Sequence, residues 1–102
     1  MHKYGLKLWS TNENYLREAL QLYSEGLYHY IELYAVPGSY EKYVNFWKRL
    51  KIPFVIHAAH FRGGMNLAKK ESEIKNMELI REAQLFANEL KADKIILHPG
   101  ID

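Results

Sequence analysis

Apolar positions along this chain follow two rhythms, and the rhythms alternate. Leu6, Leu8 and Trp9 mark a short strand over residues 4–9. Ser10 and Glu13 then have capping-box spacing, with Thr11 as an alternative cap. Leu16, Ala19, Leu20 and Tyr23 recur at intervals of three and four and share one helical face. Gly26 supplies the stop. Residues 28–34, Tyr-His-Tyr-Ile-Glu-Leu-Tyr, read as a second strand rich in aromatic and branched side chains. Pro37-Gly38 punctuates the loop, and Ser39 stands where a second helix needs its cap. Tyr43, Phe46, Trp47 and Leu50 form that helix's buried stripe, and Pro53 forbids its continuation. Residues 54–57, Phe-Val-Ile-His, make a third strand whose unbroken apolar run fits burial on both faces. The longest helix is predicted over about residues 72–91, with Asn76, Ile80, Ala83, Ala87 and Leu90 in line, flanked by Met77, Leu79 and Phe86. Residues 94–98, Lys-Ile-Ile-Leu-His, give a fourth strand ending at Pro99-Gly100.

Strands that alternate with crossover-length helices predict an α/β fold with a parallel sheet. Four strands and three helices amount to a parallel (β/α) half-barrel, since a closed barrel has eight strands and about 250 residues. Residues 1–102 are therefore expected to be one unit, the N-terminal half of such a barrel. An open half exposes strand edges and one sheet face. Three explanations stay open at this point: truncation of a longer chain, completion by a partner such as a second copy, or a small flat doubly wound sheet.

Composition narrows the chemistry. The chain has no cysteine, which excludes disulfides and thiolate metal sites. With 48% hydrophobic and 25% charged residues it belongs with folded globular chains. No apolar run reaches the roughly 20 residues of a membrane span, and the first residues carry no signal-type stretch, so the cytoplasm is the expected location and no membrane partner is expected. The net charge of +2 is uninformative, but residues 39–62 hold Lys42, Lys48, Arg49, Lys51 and Arg62 against the single acidic Glu41. This excess either attracts phosphate or coats the outer face of a helix.

Candidate functional residues follow from position. His57 and His98 each close an apolar strand, and active sites in parallel α/β folds collect at the C-terminal ends of strands. Two neutral imidazoles on neighbouring strands suit a divalent metal, zinc or manganese, although two ligands do not complete a site. The plainer alternative is a polar strand cap bonded to backbone. Glu32 alternates with Ile31 and Leu33 and shares a face with Tyr30 and Tyr34; on a barrel interior it would need a partner, on an exposed face it would not. His60, Arg62 and Asn66 lie in the loop after the third strand and are candidates for binding a substrate phosphate or carboxylate. Gly63-Gly64 has no following Lys-Ser/Thr pair, so the loop is not a P-loop, and no dinucleotide fingerprint is present.

The run Phe54-Val55-Ile56-His57-Ala58-Ala59-His60, then Asn66-Leu67-Ala68, then Ile95-Ile96-Leu97-His98-Pro99-Gly100, resembles the endonuclease IV family and the xylose isomerase-like sugar isomerases and epimerases. Ala59-His60 stands where that family often has Pro-Tyr. The resemblance implies a (β/α)8 barrel with a metal site in its mouth. It implies His57 and His98 as metal ligands and Glu32 as the second-strand glutamate, with further ligands beyond Asp102. It implies a metal-dependent phosphodiesterase acting on abasic-site DNA, the 102-residue chain alone being inactive. One alternative is a metal-dependent isomerase or epimerase of small sugars. The other is a non-catalytic half-barrel that interacts through its exposed sheet, as a homo-oligomer if the chain is complete.

Overall fold

The computed structural model describes residues 3–58 and 73–97, side chains from 77 onward in the second segment. Its elements run in the expected order: β1 (Gly5–Trp9), α1 (Leu16–Ser24), β2 (Tyr30–Tyr34), α2 (Tyr40–Lys48), β3 (Phe54–His57), α3 (Glu73–Leu90) and β4 (Lys94–Ile96). A short 3-10 turn, Glu13–Tyr15, leads into α1. All neighbouring strands pair in parallel and the sheet order is β1-β2-β3-β4. Sequential order with one crossover per step is the half-barrel arrangement. It removes the doubly wound alternative, in which strand order reverses about a switch point.

Period-two alternation divides the sheet into unlike faces. Ile31, Leu33, Phe54 and Ile56 point to one side and are buried among Val44, Trp47, Leu50, Ala83, Phe86 and Leu90. Leu6, Leu8 and Ile95 pack on the same cluster from the two edge strands. The helices thus bury their apolar stripes against one face. Each fully buried side chain such as Ile31 or Phe86 contributes on the order of 1.5–3 kcal/mol by leaving water. The opposite face carries Gly5, Lys7 and Trp9, then Tyr30, Glu32 and Tyr34, then Val55 and His57, then Lys94 and Ile96, none of them buried.

Helix ends depart from the sequence pattern. Ser10 does not cap α1; it is buried, and its hydroxyl accepts from the Val36 N–H at 2.9 Å. The Ser39 hydroxyl donates to the Val36 carbonyl at 2.7 Å. It has one proton, so in the 2.6 Å contact between the two hydroxyls Ser10 is the donor. The Trp47 indole N–H completes the knot by donating to the Ser10 carbonyl at 2.8 Å. With Ser39 so engaged, α2 is capped from a distance. The Glu82 carboxylate accepts from the Gly38 N–H at 2.8 Å and the Tyr40 N–H at 3.0 Å, supplying negative charge at the helix N-terminus. α1 ends as expected in a Schellman motif: Leu27 N–H bonds Leu22 O, Gly26 N–H bonds Tyr23 O, and Gly26 has φ +76°. α3 ends the same way on a non-glycine, Lys91, at φ +56°.

Tyr28 lies outside β2, buried, with its hydroxyl donating to Ala19 O at 2.7 Å. In α3 the buried line is Leu79, Ala83, Phe86, Ala87 and Leu90, whereas Met77 is 60% exposed.

Candidate functional site

On the sheet face left uncovered by the described helices, the strands place residues in rows. Trp9, Tyr34, His57 and Ile96 are successive cross-strand partners at the C-terminal ends. Lys7, Glu32, Val55 and Lys94 form the row beneath, and Gly5 pairs with Tyr30 below that. The upper row is a chain of rings: Trp9 to Tyr34 centroids are 5.8 Å apart and Tyr34 to His57 are 5.6 Å, each pair tilted by about 40°. Trp9 is 60% exposed while Trp47, behind the sheet, is fully buried. A Cβ at Gly5 would run into the Tyr30 ring that lies over β1, so a larger residue there must displace that ring.

His57 does close β3 as its position predicted, and β3 is parallel to its neighbours. Its ring stands against Tyr34, and Nδ1 lies 3.0 Å from the Ala58 carbonyl, the backbone-bonded cap that was the plainer alternative. Glu32 is on the same face but one row down, opposite Lys7 and Val55 rather than beside His57. Among the described residues the one ion pair is Lys48–Glu89, joining α2 to α3 on the helix side. Each side chain of that pair is exposed, and Glu89 raises the pKa of Lys48 first by hydrogen bonding and then by charge. His60, Arg62, Asn66 and His98 lie outside the described residues.

The expected zinc or manganese centre is corrected by this geometry. Among the described residues no group of three or more His, Cys, Asp or Glu side chains converges as a metal site requires. His57 faces an aromatic ring and a backbone carbonyl, and Glu32, the acidic candidate of β2, is displaced from it along the sheet.

The concavity also sits elsewhere than expected. A cavity of about 870 Å³ opens over the lower part of the uncovered face, lined by Lys3, His29, Tyr30, Glu32, Val55 and Lys94 among others. It lies toward the N-terminal ends of the strands and does not include His57. A second hollow of about 840 Å³ lies outside the sheet between α2 and α3, around Tyr40, Met77, Arg81 and Leu85. Among the described residues no helix is long and apolar enough to cross a membrane.

Comparison with known proteins adds no family. No family model matches the chain, and neither the curated proteins nor the solved structures contain a match. The likeness to endonuclease IV therefore rests on the short motifs alone.

Sequence reasoning anticipated the strand-end histidine and the polar face of β2. It missed the ring row, because Trp9, Tyr34 and His57 are far apart in sequence and become neighbours only through strand register. It missed Glu82 as a cap for the same reason: its partners lie 42 and 44 residues away.

Proposed function

We propose that this chain is a non-catalytic half-barrel interaction module whose uncovered sheet face pairs with a second copy of itself. The observation that carries the proposal is that, among the described residues, helices cover only one face of an all-parallel sheet. Such sheets occur almost only with both faces covered, and here the helices cover one. The rows on the other side mix Trp9, Tyr30, Tyr34, Val55 and Ile96 with Lys7, Glu32 and Lys94, an amphipathic surface rich in aromatic rings. Aromatic residues are enriched at protein interfaces.

The area suffices. Strands of five, five, four and three residues, at about 3.3 Å per residue and about 4.8 Å spacing, give a footprint of roughly 270 Å². Side-chain relief about doubles that in accessible surface, so two copies bury on the order of 1,000–1,200 Å², the lower bound of a specific interface.

The test is light scattering on the purified chain at tens of micromolar, beside a Val55→Asp variant. Val55 is at the centre of the face, outside the helix-side core. The expected masses are twice 12.1 kDa for the native chain and 12.1 kDa for the variant, with unchanged helical circular dichroism. A native chain that stays monomeric at that concentration refutes the proposal.

A further inference from the structure

We infer that His29 is a proton-operated latch: its neutral ring holds the residue before β1 beside the residue before β2, and protonation lets that end of β1 go. The inference goes beyond pairing through the sheet face and does not depend on it.

Geometry fixes the protonation state of the ring. The Tyr4 backbone N–H lies 2.9 Å from His29 Nδ1. A backbone N–H only donates, so Nδ1 presents its lone pair and Nε2 carries the proton. The His29 backbone N–H returns a bond to the Tyr4 carbonyl at 2.7 Å. The two rings stack, with centroids 6.0 Å apart and planes 25° from parallel. Of these contacts the bond to Nδ1 is the one that a proton removes.

A protonated imidazole has two donors and no acceptor. No rotation of the ring restores the bond, and Nδ1–H would stand against the Tyr4 N–H, donor to donor. The bond from His29 N–H to Tyr4 O involves backbone alone and remains, so protonation loosens this end of the strand without unpairing the rest. Imidazole is the side chain that ordinarily changes charge between about pH 5 and 8.

The opposite end of β1 is tied without a titrating group. Ser10 N–H donates to Tyr34 O at 2.9 Å, and the Ser10 hydroxyl accepts from the Val36 N–H. One end of the strand therefore answers to protons and the other does not. The responsive end borders the hollow of about 870 Å³, whose lining includes His29 and Lys3, the residue next to Tyr4. Releasing the Tyr4 amide loosens Lys3 with it, so acidification reshapes that wall. The other ionisable groups on the hollow are Tyr23 from α1, Tyr28, Tyr30 and Glu32 before and within β2, and Asp93 and Lys94 at the start of β4. Among the described residues none of them is hydrogen-bonded to the imidazole.

Nuclear magnetic resonance on the nitrogen-15-labelled chain reads the latch directly. At about pH 8 the His29 ring should carry its proton on Nε2, and a scalar coupling across the hydrogen bond should link the Tyr4 amide nitrogen to Nδ1. As the ring signals titrate toward about pH 5, that coupling should vanish. The Tyr4 amide protection factor should fall roughly two- to tenfold, the worth of one net hydrogen bond, while that of Ser10 holds. His29→Gln keeps every other ionisable group of the hollow, so in that variant Tyr4 protection should not change over the same range. A proton on Nδ1 at the alkaline end overturns the latch. So does a ring that fails to titrate while circular dichroism shows the chain folded, or an equal fall at Tyr4 in His29→Gln.

Discussion

Ser10→Ala tests how the upper ends of β1 and β2 are tied together. The Ser10 hydroxyl is fully buried, accepts from the Val36 N–H at 2.9 Å and donates to the Ser39 hydroxyl at 2.6 Å. Truncation leaves the Val36 amide without that acceptor and removes the donor to Ser39. A buried donor stripped of its partner costs about 1–3 kcal/mol, and Val36 is half-buried, so about 1–2 kcal/mol is expected. Ser39→Ala should cost a similar amount, about 1–2 kcal/mol, because the fully buried Ser10 O–H then loses its acceptor. The Val36 carbonyl it deserts still accepts the Ser39 N–H at 3.1 Å, and Ser10 keeps its bond to the Val36 amide. The double variant should cost less than the sum, because the bond between the hydroxyls is lost only once. Urea unfolding followed by circular dichroism, at one fixed protein concentration, gives the three values. Strict additivity of the two costs would refute the bond between the two hydroxyls.

Other sites give sharper local outcomes. Lys91→Gly should stabilise the chain by roughly 1 kcal/mol, read as a higher urea midpoint, because Lys91 holds a left-handed φ of +56° that costs a side-chain-bearing residue about 1–2 kcal/mol. Glu82→Ala should cost about 1 kcal/mol, comparable to losing an N-cap, and should speed amide exchange at Gly38 and Tyr40, whose N–H groups it accepts. Gly5→Ala should push the Tyr30 ring off β1, seen as changed ring-current shifts at residues 5 and 30, at about 1 kcal/mol. Burial, and then the nearby Tyr23, raise the Tyr28 pKa above its ordinary 10.0. The unfolded chain therefore releases that proton first, so Tyr28 contributes its stability fully below pH 10 and loses it as pH climbs through the raised value. Tyr28→Phe should flatten this alkaline loss in pH-dependent urea titrations, while costing about 1 kcal/mol near neutrality for the bond to Ala19 O.

The sequence carried most of the architecture because apolar spacing and chain breakers are local. Pro53 and the run after it mark β3 to the residue, and Gly26 marks the end of α1 because only its backbone needs φ +76°. Errors arose where a partner is distant. Tyr28 has strand composition but plugs the core beneath α1, held by Ala19. Ser10 and Glu13 have capping spacing, yet the Ser10 hydroxyl is taken by residues 26 and 29 positions away. Of the line expected along α3, Ala83, Ala87 and Leu90 are buried together with the flanking Leu79 and Phe86, whereas Ile80 is half-buried and Met77 exposed, since a helix with apolar groups on adjoining faces does not declare which one meets the sheet. His57 was legible as a strand end, but its cross-strand neighbour was not: the Tyr34 ring comes beside it only through strand register.

Pairing through the uncovered face is tested most directly by isotope-filtered NMR on an equimolar mixture of carbon-13-labelled and unlabelled chain. Intermolecular contacts should appear from the Val55 and Ile96 methyl groups and from Trp9, and not from Ala83 or Phe86 behind the sheet. Intermolecular contacts confined to the helix side, or none from Val55 at concentrations where the mass is that of two chains, would contradict it.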